Sequence, residues 1–279
     1  MIGVLWRGAG GMRAQQVQVD SLANDIANVN TNGYKQARVN FADLVYRPVE
    51  EGGMPVDHPP APARPPALGA GVKVASIDKD FSQGTLVQTG DPLNLAIQGD
   101  GFFVVVDQAG NRYLTRDGNF HRDDAGYVVN ASGYYLLGSD GNPLSLPPEA
   151  ENIAVTPDGT ITGVINGASQ DLGYLDLYAV TNPGGLEAAG DNLFRETAAS
   201  GQVFYGMPGA PGAPIPGAPA TAGTTGPLGT LRSGYLEAAN VDLAATMTKM
   251  IVAQRAYELN SRSVRVADEM WGLANNLRR

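Results

Sequence analysis

The feature that most constrains this chain is a seven-residue recurrence near its C-terminus. Leu236, Leu243, Met250, Tyr257, Val264 and Trp271 stand seven apart, and the positions three further on, Ala239, Thr246, Ala253, Asn260, Ala267 and Ala274, are small or short. No proline interrupts the stretch, glycine occurs only at Gly272, and good helix formers dominate the rest. The pattern predicts one helix from about Leu236 to Leu277. At about 1.5 Å per residue this is a rod of about 60 Å, well beyond the usual length in a globular domain. A seam held at seven residues belongs to a helix that winds left-handedly against another helix.

The N-terminus supplies a partner. Leu5, Met12, Val19 and Ile26 are also seven apart, with Leu22 and Val29 three residues after the last two. Gly8, Gly10 and Gly11 weaken the first turns by about 1 kcal/mol each relative to alanine, so this helix needs packing to hold it. It is predicted to stop at Asn28–Gly33, where Asn and Gly accommodate the left-handed conformation that ends helices. Residues 1–35 and 236–279 therefore read as one split helical domain, antiparallel if it forms within one chain. Beyond Ile251 the positions four after each seam residue turn polar (Gln254, Ser261, Asp268, Asn275), so the stripe narrows to one residue. A two-helix hairpin buries such a stripe poorly; a wall of many copies buries it well.

Between the ends the period changes to two. Residues 36–71 read as a linker with a short mixed segment, Val39–Tyr46, and a Pro-rich loop, Gly52–Pro66. Residues 72–206 read as a β-rich outer domain. Its expected strands are Val72–Ile77, Thr85–Gln88, Leu93–Gln98, Phe102–Asp107, Arg112–Thr115, Tyr127–Asn130, Tyr134–Leu137, Ile153–Thr156, Thr160–Val164 and Tyr174–Val180. Turns at Asp107–Asn111, Asp117-Gly118, Asp123–Gly126 and Asp140-Gly141 separate them. Residues 207–235 hold a Pro/Gly/Ala loop, Met207–Pro227, and the return Leu231–Tyr235. The class is α+β: a split, coiled-coil-like helical domain with a β-rich centre.

Composition excludes several functions. With 19 basic and 28 acidic residues, a net charge of −9 and no Lys/Arg cluster, binding nucleic acid through its phosphates is disfavoured. There is no cysteine, and the two histidines, His58 and His121, are far apart, so no metal site is expected. Arg7 and Arg13 interrupt any apolar N-terminal run, and no stretch is long enough to span a membrane. The chain is expected to stay in the cytoplasm, or to leave without a cleaved signal and without inserting into lipid.

Catalytic constellations are weak. The Asp-rich turns lack the alternating ligands and distal Glu of a calcium loop. Gly99-Asp100-Gly101 runs straight into an apolar strand, not the helix of a phosphate loop. Asp117, Asp123 and Asp124 are a distant candidate pair for glycan hydrolysis. No Ser lies in a nucleophile elbow near His121. No catalytic residue and no cofactor are expected.

Four motifs then bear a family resemblance. Leu22-Ala-Asn-Asp-Ile-Ala-Asn-Val-Asn-Thr-Asn-Gly-Tyr-Lys35 resembles the N-terminal signature of the bacterial flagellar rod and hook proteins. Leu93–Val104, and Tyr113–Phe120 continuing through Gly126-Tyr127 to Gly133–Gly138, resemble their central motif. Gly234–Asp242 and Gln254–Ser261 resemble their C-terminal signature. In these motifs the resemblance marks Asn24, Asn28, Thr31, Gly33, Tyr34, Gly99, Gly101, Phe102, Arg116, Asp117, Gly118, Asn240, Gln254, Arg255, Tyr257, Asn260 and Ser261. Leu5-Trp6, Ala14-Gln15-Gln16 and Gln254–Ser261 look most like the distal-rod members, with hook and proximal-rod members as alternatives. The two Pro-rich runs depart from the family pattern.

The resemblance implies a structural subunit of the flagellar basal body, exported through the flagellar type III apparatus without a cleaved signal. Its copies would stack into a hollow helical shaft that carries torque to the hook and lets exported subunits pass. The expected partners are further copies, other rod subunits, the hook protein and, where an outer membrane is present, the L- and P-ring proteins. The expected assembly contacts are the seams Leu5, Met12, Val19, Leu22, Ile26, Leu236, Leu243, Met250, Tyr257, Val264 and Trp271.

Overall fold

The computed structural model describes residues 2–48, 67–214 and 228–276. The Pro-rich run Gly52–Pro66, and residues 215–227 of the Met207–Pro227 run, lie outside them. The protein is α+β. Two long helices stand near its ends, α1 (Ile2–Ala27) and α2 (Leu243–Asn276), with strands between. The chain divides into two compact units: residues 1–26, 37–78 and 243–279 form the helical one, and residues 27–36 and 79–242 the β-rich one.

In the helical unit, β1 (Ala37–Asp43), β2 (Arg47–Pro48), β3 (Ala67–Leu68) and β4 (Val72–Lys79) pair as two ribbons, β1 with β4 and β2 with β3. The two helices approach closely. A Cβ placed on Gly8 would lie 2.6 Å from Val264 Cγ2, and one on Gly11 would lie 2.7 Å from Asn260 Nδ2. A step of three up α1 is a step of four down α2, so the helices are antiparallel.

The line of closest approach is not the expected one. Among the described residues, those buried on α1 are Gly8, Gly11, Ala14, Leu22 and Asp25, and those on α2 are Thr246, Ala253 and Ala267. Of the expected seam, Leu22 is buried; Leu5, Met12, Val19, Ile26, Met250 and Val264 flank the contact half-buried; Leu243, Tyr257 and Trp271 are exposed. Small side chains let two backbones come together, and dispersion then favours the small seam over the large one. The glycines that weaken α1 in isolation are what admit α2.

Leu236 is a second correction. It lies seven residues before the helix begins, in a strand of the β unit. Asp242, a residue type favoured at N-caps, immediately precedes α2.

The β unit contains β5 (Leu86–Gln88), β6 (Leu95–Gln98), β7 (Phe103–Val106), β8 (Arg112–Thr115), β9 (Phe120–Arg122), β10 (Val128–Asn130) and β11 (Tyr135–Leu136). Next come β12 (Glu151–Val155), β13 (Thr160–Ile165), β14 (Ala168–Tyr174), β15 (Leu177–Val180), β16 (Glu187–Gly190) and β17 (Leu193–Arg195). Last are β18 (Val203–Gly206), β19 (Ala213–Pro214), β20 (Thr230–Ser233) and β21 (Tyr235–Glu237). A seven-stranded sheet has the order β16-β17-β8-β7-β11-β10-β9, and β12-β13-β14 and β15-β18-β19 form three-stranded sheets. The return segment adds β20 to β6 and β21 to β5.

Strand β7 organises the core. Its alternate side chains enter different clusters: Phe103 and Val105 pack with Phe120, Leu136 and Leu177, while Val104 and Val106 pack with Phe102, Leu114 and Phe194. A strand buried on both faces must be a continuous apolar run, as Phe102–Val106 is. Of the strands missed by sequence reading, β14 and β16 are mostly exposed and carry no alternating pattern, whereas β17 and β18 are short and largely buried. The turn aspartates are explained by backbone geometry. Asp107, Asp117 and Asp123 each accept the N–H two residues on, from Ala109, Asn119 and Ala125 at 2.8, 3.0 and 3.1 Å.

Two substitutions in one helix are expected to have opposite signs. Gly3→Ala, in open surroundings, should stabilise α1 by about 1 kcal/mol. Gly8→Val should overpack against Val264 and destabilise the helix pair by about 1–3 kcal/mol. Hydrogen exchange of the α1 amides reads both.

Candidate functional site

Three motif segments meet inside the β unit on one carboxylate. Glu237, at the end of β21, is 1% exposed, Lys35 0% and Arg116 3% in their side chains. Lys35 Nζ donates to Glu237 Oε1 at 2.8 Å and to the Ser82 carbonyl at 2.8 Å. Glu237 Oε1 also accepts the Gly84 N–H at 2.8 Å. Arg116 Nη1 is 3.5 Å from Glu237 Oε2, while Nη2 donates to the Gly99 carbonyl at 2.9 Å. The guanidinium lies over the Phe102 ring, 5.3 Å from its centroid. Its Nε has no acceptor among the described residues.

Backbone geometry brings these groups together. Gly33 has φ +67°, and a Cβ there would fall 2.5 Å from the Asp117 nitrogen. Only glycine satisfies both the left-handed turn and that approach. The Gly33 N–H donates to the Glu237 carbonyl at 2.7 Å. Three residues on, the Gln36 N–H donates to Asn240 Oδ1 at 2.7 Å, and Asn240 Nδ2 donates to the Asp80 carbonyl at 2.7 Å. Lys79 Nζ sits 4.3 Å above the Tyr34 ring centroid and donates to the Lys35 carbonyl. A Cβ on Gly118 would fall 1.6 Å from the Leu95 carbonyl oxygen, so that position excludes any side chain.

Electrostatically the cluster has one cation in excess. Burial pulls Lys35 below its ordinary value, with Glu237 opposing the shift. Burial lowers Arg116 in the same way, opposed by Glu237 and then Asp100. Burial raises Asp117, opposed by the Asn119 N–H. The arrangement holds segments of the chain together; it presents no open nucleophile or acid–base pair.

The motif residues thus separate by place. Asn28, Thr31, Gly33, Tyr34, Gly99, Gly101, Phe102, Arg116, Asp117, Gly118 and Asn240 are in the β unit, where the Asn28 carbonyl accepts the Thr31 N–H at 3.0 Å. Asn24 is exposed on α1. On α2, Gln254 and Tyr257 are exposed, Arg255 pairs with Glu258 at 2.9 Å, Asn260 lies against Gly11, and Ser261 is half-buried. Sequence reasoning assigned no role to Lys35 or Glu237. Both stand inside the quoted motifs, and the signal available was a charged residue, Glu237, beside the apolar Leu236 and Ala238.

Among the described residues no group of three or more acidic or histidine side chains is gathered for a metal, and no helix is long and apolar enough to cross a membrane. Known proteins match all three regions. Residues 7–35 match the family described as flagella basal body rod protein, residues 96–163 the flagellar hook protein FlgE/F/G D1 domain, and residues 232–277 the flagellar basal body rod FlgEFG protein C-terminal family. The flagellar basal-body rod protein FlgG of Borreliella burgdorferi is 38% identical over 100% of both chains. That of Caulobacter vibrioides is 38% identical over 97% of each, and that of Bacillus subtilis 35% over 100% of each.

The chain belongs to the flagellar basal-body rod family. It is a structural rod protein of the flagellar basal body, most like the distal-rod members, and not an enzyme. The hook, proximal-rod and glycan-hydrolase alternatives are not favoured. In this rod protein the signatures near both ends converge on Glu237, one segment supplying Lys35 and the other the carboxylate.

Removing the anion should be worse than removing one cation. Glu237→Gln leaves two buried cations without a counter-charge and should cost about 3–5 kcal/mol, whereas Lys35→Met leaves a matched pair and should cost less. Urea unfolding of the full chain reads the order. Asp117→Asn keeps the turn acceptor but removes a carboxyl whose folded pKa is raised. Such a group favours the fold below its unfolded value near 3.8 and loses that contribution as pH rises through its folded pKa. The variant should therefore gain on the wild type at neutral pH, with the gain shrinking as pH falls toward 4 in a pH series of unfolding curves.

Proposed function

We propose that this protein is a distal-rod subunit whose copies stack into a hollow helical drive shaft through α1 and α2, which act as a coiled-coil-like pair. The observation that carries this reading is the apolar surface left open on α2. Ile251, Val252, Leu259, Val266, Met270 and Leu273 are all exposed in the single chain. A solvent-facing helix of a monomer does not carry so many large apolar residues; a helix covered by neighbours does. Contacts that repeat head-to-tail without closing generate an open helical filament.

On this reading the subunit is exported through the flagellar type III apparatus and functions outside the cytoplasmic membrane. It contacts other rod subunits, the hook protein and, where there is an outer membrane, the L- and P-ring proteins. The shaft transmits torque through the lateral contacts of its helices and passes exported subunits through its lumen.

Deleting residues 243–279 removes α2 while sparing Glu237 and Asn240. The truncated subunit should be absent from isolated basal bodies and the cells non-motile; incorporation of the truncated chain would overturn the reading. Gold labelling of the tagged full-length subunit should mark the shaft just below the hook. Label confined to the hook, or to the membrane-proximal end, would reassign its place on the axis.

A further inference from the structure

We propose that α2 carries a second seam and that it is covered, in one specific register, by the outer face of α1 from a neighbouring copy. This rests on the shaft reading and deepens it by naming the contact. Val252, Leu259, Val266 and Leu273 stand seven apart, like the first seam, and are 63%, 62%, 52% and 65% exposed. They lie well around the helix from Thr246, Ala253 and Ala267, which face α1 of the same chain.

On α1 the face opposite Gly8 and Gly11 also repeats at seven. Ala9, Gln16 and Ala23 form one exposed row, and Trp6, Arg13 and Asp20 another, three residues before it. These are the a and d spacings of a helix-packing face. A chain's own α2 cannot reach it, because that α2 occupies the other side of α1. In a stack of uniform polarity, α1 of one copy meets α2 of the next antiparallel, as the two run within a chain.

Antiparallel packing sets a against d in successive layers. Placing Ala9 opposite Leu273 then places Arg13 opposite Glu269, Gln16 opposite Val266, Asp20 opposite Arg262, and Ala23 opposite Leu259. Leu273 and Leu259 meet alanines of α1, Val266 meets the uncharged Gln16, and each charge meets its opposite. Arg13, Asp20, Arg262 and Glu269 are exposed, and none is in an ion pair among the described residues. Sliding α2 by one heptad sets Arg13 against Arg262 in one direction and Asp20 against Glu269 in the other. Exposed pairs contribute little energy each, but like-charge layers select against a wrong register.

The chain has no cysteine, so introduced ones are unique. Subunits carrying Ala9→Cys with Leu273→Cys, or Ala23→Cys with Leu259→Cys, should form a reducible ladder of multimers when basal bodies are oxidised. Single-cysteine variants and the off-register pair Gln16→Cys with Leu273→Cys should not. In parallel, Arg13→Glu should impair motility and Arg13→Glu with Glu269→Arg should restore it. Wild-type subunits present in basal bodies, with no ladder from either pair or an equal ladder from the off-register pair, overturn the register while the shaft stands. Failure of the charge swap to restore motility also overturns it. Wild-type subunits absent from basal bodies overturn both.

Discussion

Glu237 holds two cations away from water, and the β unit depends on it. Lys35 reaches it from the segment after α1, Arg116 from the turn after β8, and Glu237 itself comes from the strand that returns toward α2. An apolar contact among the same segments would tolerate sliding. A carboxylate that also accepts the Gly84 N–H, beside a backbone carbonyl that accepts the Gly33 N–H, does not. Desolvating the charges is costly, and breaking the cluster is costlier, so its service is directional: it fixes which residues meet. Segments of the chain close to both its ends are thereby built into the β unit, and Asn240 repeats the lesson with Gln36 and Asp80.

The helical unit follows a different rule. Its contact line is made of Gly8, Gly11, Ala14, Ala253 and Ala267, which allow the helices to approach until Val264 and Asn260 touch the α1 backbone. Bringing small residues inside leaves the large ones outside. The apolar surface of α2 is then unsatisfied in a single chain, which is the physical state expected of a subunit whose final packing is supplied by copies of itself. The β unit, by contrast, closes its own core around β7. One chain thus carries a unit with a closed core and one whose apolar helix surface is left open.

Much of this was legible beforehand. The helix at each end, the arrest of α1 at Asn28, the buried run Phe102–Val106 and the Asp-Gly turns each follow from local rules: period, capping and backbone geometry. The clasp was not legible, because a lone Lys, Arg and Glu in three distant segments look like ordinary solvated charges until the fold removes the water. Strands such as β14 and β16 were missed because exposed strands need no alternation.

By itself the sequence determined the two helices, the turns and the strand that must be buried, since these depend on neighbours within a few residues. It also carried the seven-residue rows, whose period is a property of the helix alone. Only the tertiary structure decided which row faces inward, and it chose the small one, because close backbone approach outweighs the burial of isolated large side chains. It likewise decided that Leu236 is a strand residue. The same period and the same residue type serve either role, and the pairing of β21 with β5, anchored by Glu237, settles which.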